Sequence, residues 1–192
     1  LNSRREYDPV AIVYSQASMR LQWMLDWRNH GEEWTRQDTD SQNLSNPWRR
    51  ALRLSMEAVV RQGLTPRFIP ARDLEIGALR RGIRVLILPD TLALSARAAA
   101  VIRAFIRRGG VAVAYGEPGR YDEHGRRWDR PPLHDLFSAS GRREPGDGHA
   151  VLLSPEDPST ELRDLGAVVR KAGVAGEYSI SRVDGSPVTD IA

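Results

Sequence analysis

Glu117, Asp122, Glu123 and His124 fall within eight positions of one another, in the segment GEPGRYDEHGRRWDRPPLHDLF spanning 116–137. Carboxylates this close can act as an acid and base pair, and together with His134 they can ligate a metal. A glycosidase needs two carboxylates about 5–10 Å apart across a sugar, which makes Glu117 and Asp122 the pair to weigh. Zinc histidines are usually spaced more closely than His124 and His134, which nine residues separate. Asp-Glu-His-Gly is also good turn chemistry, because carboxylates bond backbone amides and glycine supplies a positive φ. We read 122–125 as a solvated turn and expect no catalytic residue and no metal site. HGEEW (30–34) lacks the second histidine of a zincin helix and reads as surface.

Other reaction classes fail on residue type. A nucleophile elbow, G-x-S-x-G or its cysteine counterpart, would need a nucleophile where Gly116-Glu117-Pro118-Gly119 presents glutamate. The chain has no cysteine, which excludes disulfides, thiolate metal sites and cysteine-dependent amidotransferase chemistry and leaves the compartment undecided. No G-x-G-x-x-G follows the first apolar run and no P-loop occurs. The hydroxyls of YSQAS (14–18) can meet a flavin phosphate, but serines after a strand are common, and no cofactor is expected.

The formal charge of +3 invites a nucleic-acid reading, which the distribution argues against. Lys171 is the only lysine among 28 basic residues, and the arginines are interleaved with 25 acids rather than clustered along one face. No apolar run approaches the roughly 20 residues that span a bilayer, so no membrane partner is expected. The chain opens on Leu1 and closes on VTDIA, from which we expect a piece of a longer protein.

The elements that must position these residues alternate. PVAIVYS (9–15), RVLILPD (84–90), VAVAY (111–115) and HAVLLS (149–154) are apolar, β-branched runs of the kind buried in a parallel sheet. TPRFIP (65–70) reads as an edge strand, flanked by prolines. Residues 46–63 read as a helix capped by Asn46 and ended by Gly63, with Trp48, Leu52, Met56 and Val59 facing the sheet. Residues 95–110 read as a second helix, with Ser95 as cap, Leu94 as staple and Gly109 as stop; its apolar face is Ala98, Val101, Ile102, Phe105 and Ile106. Residues 159–173 read as a last helix, with Leu162, Leu165, Val169 and Ala172 inward.

This alternation predicts an α/β, doubly wound, mainly parallel five-stranded sheet of flavodoxin-like order over 1–176. A β-hairpin over 177–192 then begins a following domain. The crevice of such a sheet opens at the carboxyl ends of the strands. Ser15, Gln16, Asp90, Glu117, Asp122 and His124 fall there and are the candidate binding residues. Trp27 and Trp34 flank charges around the polar insert RNHGEEWTRQDTDSQNLS and are the candidate interface residues, although core packing explains tryptophans as well.

The ordered set VAIVYS, RVLILPD, a helix ending RRGG, Gly116-Glu117, Tyr121 to Arg126 and Leu133 to Phe137 resembles the β-galactosidase trimerisation domain of family 42 glycoside hydrolases. The resemblance covers residues 9–175. It implies a glutamine-amidotransferase-like fold and a non-catalytic assembly domain excised from a larger glycosidase-like protein. The partner it implies is another copy of the parent, as a trimer, with carbohydrate bound by the parent's barrel. A barrel alone needs about 250 residues, so no catalytic residue of that family maps onto this chain. Ser138-Ala139 departs from the family's Gly-Val, and the insert between Trp27 and Asn46 is longer and more charged than usual. The alternative is a small-molecule or carbohydrate-binding module that uses the strand-end crevice.

Overall fold

A computed structural model describes residues 7–27, 46–79, 82–138, 148–153 and 158–174. The elements run β1 (Val10–Tyr14), α1 (Gln16–Trp27), α2 (Pro47–Val60), β2 (Arg67–Pro70), α3 (Ala71–Leu74), β3 (Val85–Leu88) and α4 (Ala96–Arg107). They continue with β4 (Val111–Tyr115), α5 (His134–Phe137), β5 (His149–Leu153) and α6 (Pro158–Lys171). The strands form one parallel sheet in the order β2-β1-β3-β4-β5, the doubly wound order expected from the alternation. Trp34 and the expected hairpin lie outside the described residues.

The continuous apolar runs are explained by helices on both faces of the sheet. On one face Ala11, Val13, Leu86, Leu88, Ala112 and Ala114 pack with Ile102, Phe105 and Ile106 of α4 and with Leu136 and Phe137 of α5. On the other, Val10, Ile12, Val85, Ile87, Val111 and Val113 meet Ala51, Ala58 and Val59 of α2 and Leu165 and Val169 of α6. The period-2 alternation along each strand sorts its residues between these two cores. β2 is the edge strand expected from its prolines.

Local chemistry sets the helix ends. Asn46 Oδ1 accepts from Arg49 N at 3.1 Å, and Pro47 occupies the first turn of α2. Ser95 Oγ accepts from Ala98 N at 3.0 Å at the start of α4, and Gly109 ends that helix at φ +94°. Two details differ from expectation. Met56 of α2 is 45% exposed, and the inward face is Trp48, Ala51, Leu54, Ser55, Ala58 and Val59. Small residues at 51, 55 and 58 let α2 lie close to the sheet, so the stripe drawn through the large apolar side chains is rotated from the true one. On α4, Ala99 is buried and Val101 only partly so.

Helix α1 has no counterpart in the pattern reading. Its apolar residues are spread around the helix rather than gathered in one stripe, and among residues 16–26 only Leu21 and Ser18 are buried. The signal that could have found it is Ser15. Its Oγ accepts from Ser18 N at 3.1 Å, which makes it the helix cap.

Candidate functional site

The carboxyl ends of the strands carry a cleft of about 670 Å³. Its walls come from four separate segments: Tyr14 to Met24 on β1 and α1, Pro70 to Glu75 at the end of β2 and along α3, Ala93 to Ala98 at the start of α4, and the 123–125 turn. Ser15, Gln16 and His124 line it, whereas Asp90, Glu117 and Asp122 do not. The structure therefore brings half of the expected residues together, and Glu117 and Asp122 are engaged in local contacts instead.

Ser15 is 1% exposed and already committed. Its hydroxyl lies 2.8 Å from that of Ser18, and Ser18 Oγ accepts from Ala93 N at 2.9 Å. This pair pins α1 to the loop between β3 and α4, where Leu21 packs against Leu92 and Ala93. Helix α1 thus closes part of the strand-end opening.

Asp122 holds the turn. Its Oδ1 accepts from His124 N at 2.9 Å and from Arg126 N at 2.8 Å, and these bonds keep its carboxyl below the usual range, the Arg126 amide contributing most. Asp122 N donates to Arg126 O at 2.8 Å, and Gly125 completes the reversal at φ +83°. A Cβ at Gly125 would meet only Leu21 Cδ1 at 3.7 Å, so Gly125→Ala carries backbone strain without a clash. We expect it to cost about 1 kcal/mol, or a drop of about 2–4 °C in melting temperature. An unchanged melting temperature would show that the turn tolerates another conformation.

Glu117 joins the loop to α5. Its Oε1 lies 2.6 Å from His134 Nδ1, and its Oε2 is 3.7 Å from Arg120 Nε. A second tie runs from α4, where Arg103 donates to both carboxylate oxygens of Asp135, at 2.9 and 2.6 Å, and to Pro132 O at 2.9 Å. The Arg103 guanidinium holds the Asp135 carboxyl below its ordinary range. Beneath these ties Leu133, Leu136 and Phe137 are buried. The two carboxylates weighed as a catalytic pair are both engaged with the scaffold.

Asp90 follows β3 and is the one non-glycine residue at positive φ (+39°) among those described. Its Oδ2 is buried with no hydrogen-bond partner. Burial pushes its carboxyl up to about 6, Arg120 opposes the shift, and Asp26 on α1 adds to it. Trp27 ends α1. Among the described residues no group of three or more His, Asp or Glu side chains could hold a metal, and no helix is long and apolar enough to cross a membrane.

No family model matches the sequence, and no curated protein does. Solved structures do match. A catalytic mutant of Gan42B, a GH42 β-galactosidase from G. stearothermophilus, superposes on 91% of this chain with a TM-score of 0.62 at 13% identity. The β-galactosidase of the Antarctic haloarchaeon Halorubrum lacusprofundi covers 92%, with a TM-score of 0.58 at 14% identity. The GH42 exo-carrageenase of Bacteroides ovatus covers 89%, with a TM-score of 0.54 at 16% identity. The likeness is one of fold. This chain spans 31%, 32% and 18% of those three proteins, so it corresponds to a part of each.

Proposed function

We propose that this chain is a non-catalytic assembly domain of a glycosidase-like protein, equivalent to the trimerisation domain of family 42 glycoside hydrolases. The observation that carries the reading is that nearly the whole chain superposes on a fraction of several glycosidases. The motifs behind the sequence resemblance add to it. Gly116-Glu117, Tyr121 to Arg126 and Leu133 to Phe137 form a bound turn and a pinned short helix, with the carboxylates spent on backbone amides, His134 and Arg103. That is the chemistry of a scaffold.

Two measurements test the proposal. The purified chain should not turn over aryl β-galactosides; turnover that disappears in Glu117→Gln would refute the non-catalytic reading. Light scattering over a concentration series should give a monomer or weak oligomer, because a standard interface buries about 800 Å² per partner and an isolated domain forgoes what the rest of a parent supplies. Cyclic assembly needs two different patches on each subunit. A tight dimer with a contact that excludes α1 and Trp27 would count against it.

A further inference from the structure

We propose that the cleft at the carboxyl ends of β1 and β2 binds a small amphipathic organic anion, its charged group at Arg20 and its apolar body along α1 and α3. This holds whether or not the domain assembles.

Position is the first argument. The sheet order reverses between β1 and β3. β1 leads through α1 to α2, which covers one face, and β3 leads to α4, which covers the other. The connections therefore part above these strands, and such a switch point is where open α/β sheets leave room for ligands. The volume of about 670 Å³ is that of a small-molecule site.

The walls fix the ligand class. Leu21, Met24, Pro70, Ala71, Leu94 and Ala98 supply an apolar lining, and Met24 is 60% exposed within it. Most charged groups around the cleft are engaged. Glu75 Oε1 accepts from the Ser95 hydroxyl at 2.5 Å, Glu123 Oε1 is 3.8 Å from His124 Nε2, and Arg72 Nε is 3.4 Å from Asp73 Oδ1. Arg20 is exposed and has no acidic partner among the described residues. Glu75 and Glu123 stay anionic beside a hydroxyl and a histidine, but Arg20 is the charged lining residue left without any partner among the described residues, and a carboxylate or sulfonate complements it.

A sugar fits less well. Sugars need an aromatic platform and several free polar groups, but Tyr14 is the single Phe, Tyr or Trp in the lining, and its ring packs edge-on against Trp48 at 5.3 Å. Ser15 and Ser95 are already bonded within the protein.

The test uses 1-anilinonaphthalene-8-sulfonate, an amphipathic anion with fluorescence that rises in apolar surroundings. We expect saturable binding, displaced by octanoate but not by inorganic phosphate or galactose at equal concentration. Arg20→Gln should weaken it about fivefold or more, and Met24→Glu should abolish it, by opposing the anion's charge. Both positions are exposed, so both variants should fold. Ile76→Ser, outside the cleft and 78% exposed in the wild type, should bind normally. The proposal fails if binding does not saturate, if Arg20→Gln and Met24→Glu bind normally, or if Ile76→Ser loses binding. Displacement by phosphate alone would mean a simple anion site, and displacement by galactose a sugar site; either overturns it.

Discussion

Gly148→Ala is expected to cost the fold at least about 3 kcal/mol, lowering the melting temperature by about 6–12 °C. Gly148 enters β5 beneath the junction of α4 and β4. A Cβ built there would overlap the carbonyl oxygen of Ile106 and stand 2.7 Å from that of Gly110. Both obstacles are backbone, so no rotamer change relieves them. The strand would have to move away from β4, breaking the register that pairs Val111 with His149 and Val113 with Val151. Gly110→Ala is the informative companion. There the added carbon would strike the ring of Phe105, a side chain that can shift within the core at a smaller cost. Thermal melts followed by circular dichroism should rank Gly148→Ala below Gly110→Ala, and Gly110→Ala below Gly125→Ala. If Gly148→Ala melts with the wild type, the entry to β5 is not closely packed against α4.

That junction joins residues far apart in the chain, and the boundary between what could and could not be read from sequence falls along the same line. Local rules sufficed for the β-branched runs, for the caps at Asn46 and Ser95, for the glycine stops, and for the turn held by Asp122 and Gly125, because each depends on neighbours within a few positions. The inward face of α2 differs from the one its large apolar residues suggest because Ala51, Ser55 and Ala58 are buried through close approach to the sheet, which hydrophobicity alone does not signal. Helix α1 escaped because it lies over loops and buries little apolar surface of its own. Its cap, Ser15, is visible in the sequence, but a hydroxyl after a strand suits a ligand equally well, so the residue type alone does not reveal the helix. The cleft draws on four separated segments, and Arg20, Met24 and Ala71 share no local pattern that would gather them. At Asp90 the strand-end position was legible. Its left-handed backbone and buried carboxylate were not, since the burial comes from segments distant in sequence, with Gly116 lying against Oδ1 and Asp26 of α1 adding its charge.

Asp90→Asn is expected to stabilise the protein at pH 8 by about 1–2 kcal/mol and to have little effect at pH 4. The unfolded carboxyl titrates near 3.8 and the folded one near 6, so the folded state holds the proton more tightly. Below 3.8 both states are neutral and burial costs little. Between about 4 and 6 the unfolded chain ionises first, so stability falls as pH rises, and above about 6 the full penalty applies. A difference of about 2 pH units corresponds to about 3 kcal/mol at most. Asparagine keeps the shape and tolerates positive φ, but its amide also needs partners that Oδ2 lacks, which reduces the gain. Asp122 and Asp135 have depressed values, and the stability they contribute is lost as pH falls below the unfolded range. Wild type and variant share that slope, so their difference isolates Asp90. Asp90→Gly separates charge from strain, since relief at φ +39° should add a component independent of pH. Urea melts at pH 4, 6 and 8 measure all three proteins. Parallel profiles for wild type and Asp90→Asn would mean that the carboxylate is solvated when charged, and that Oδ2 is not buried as the structure describes.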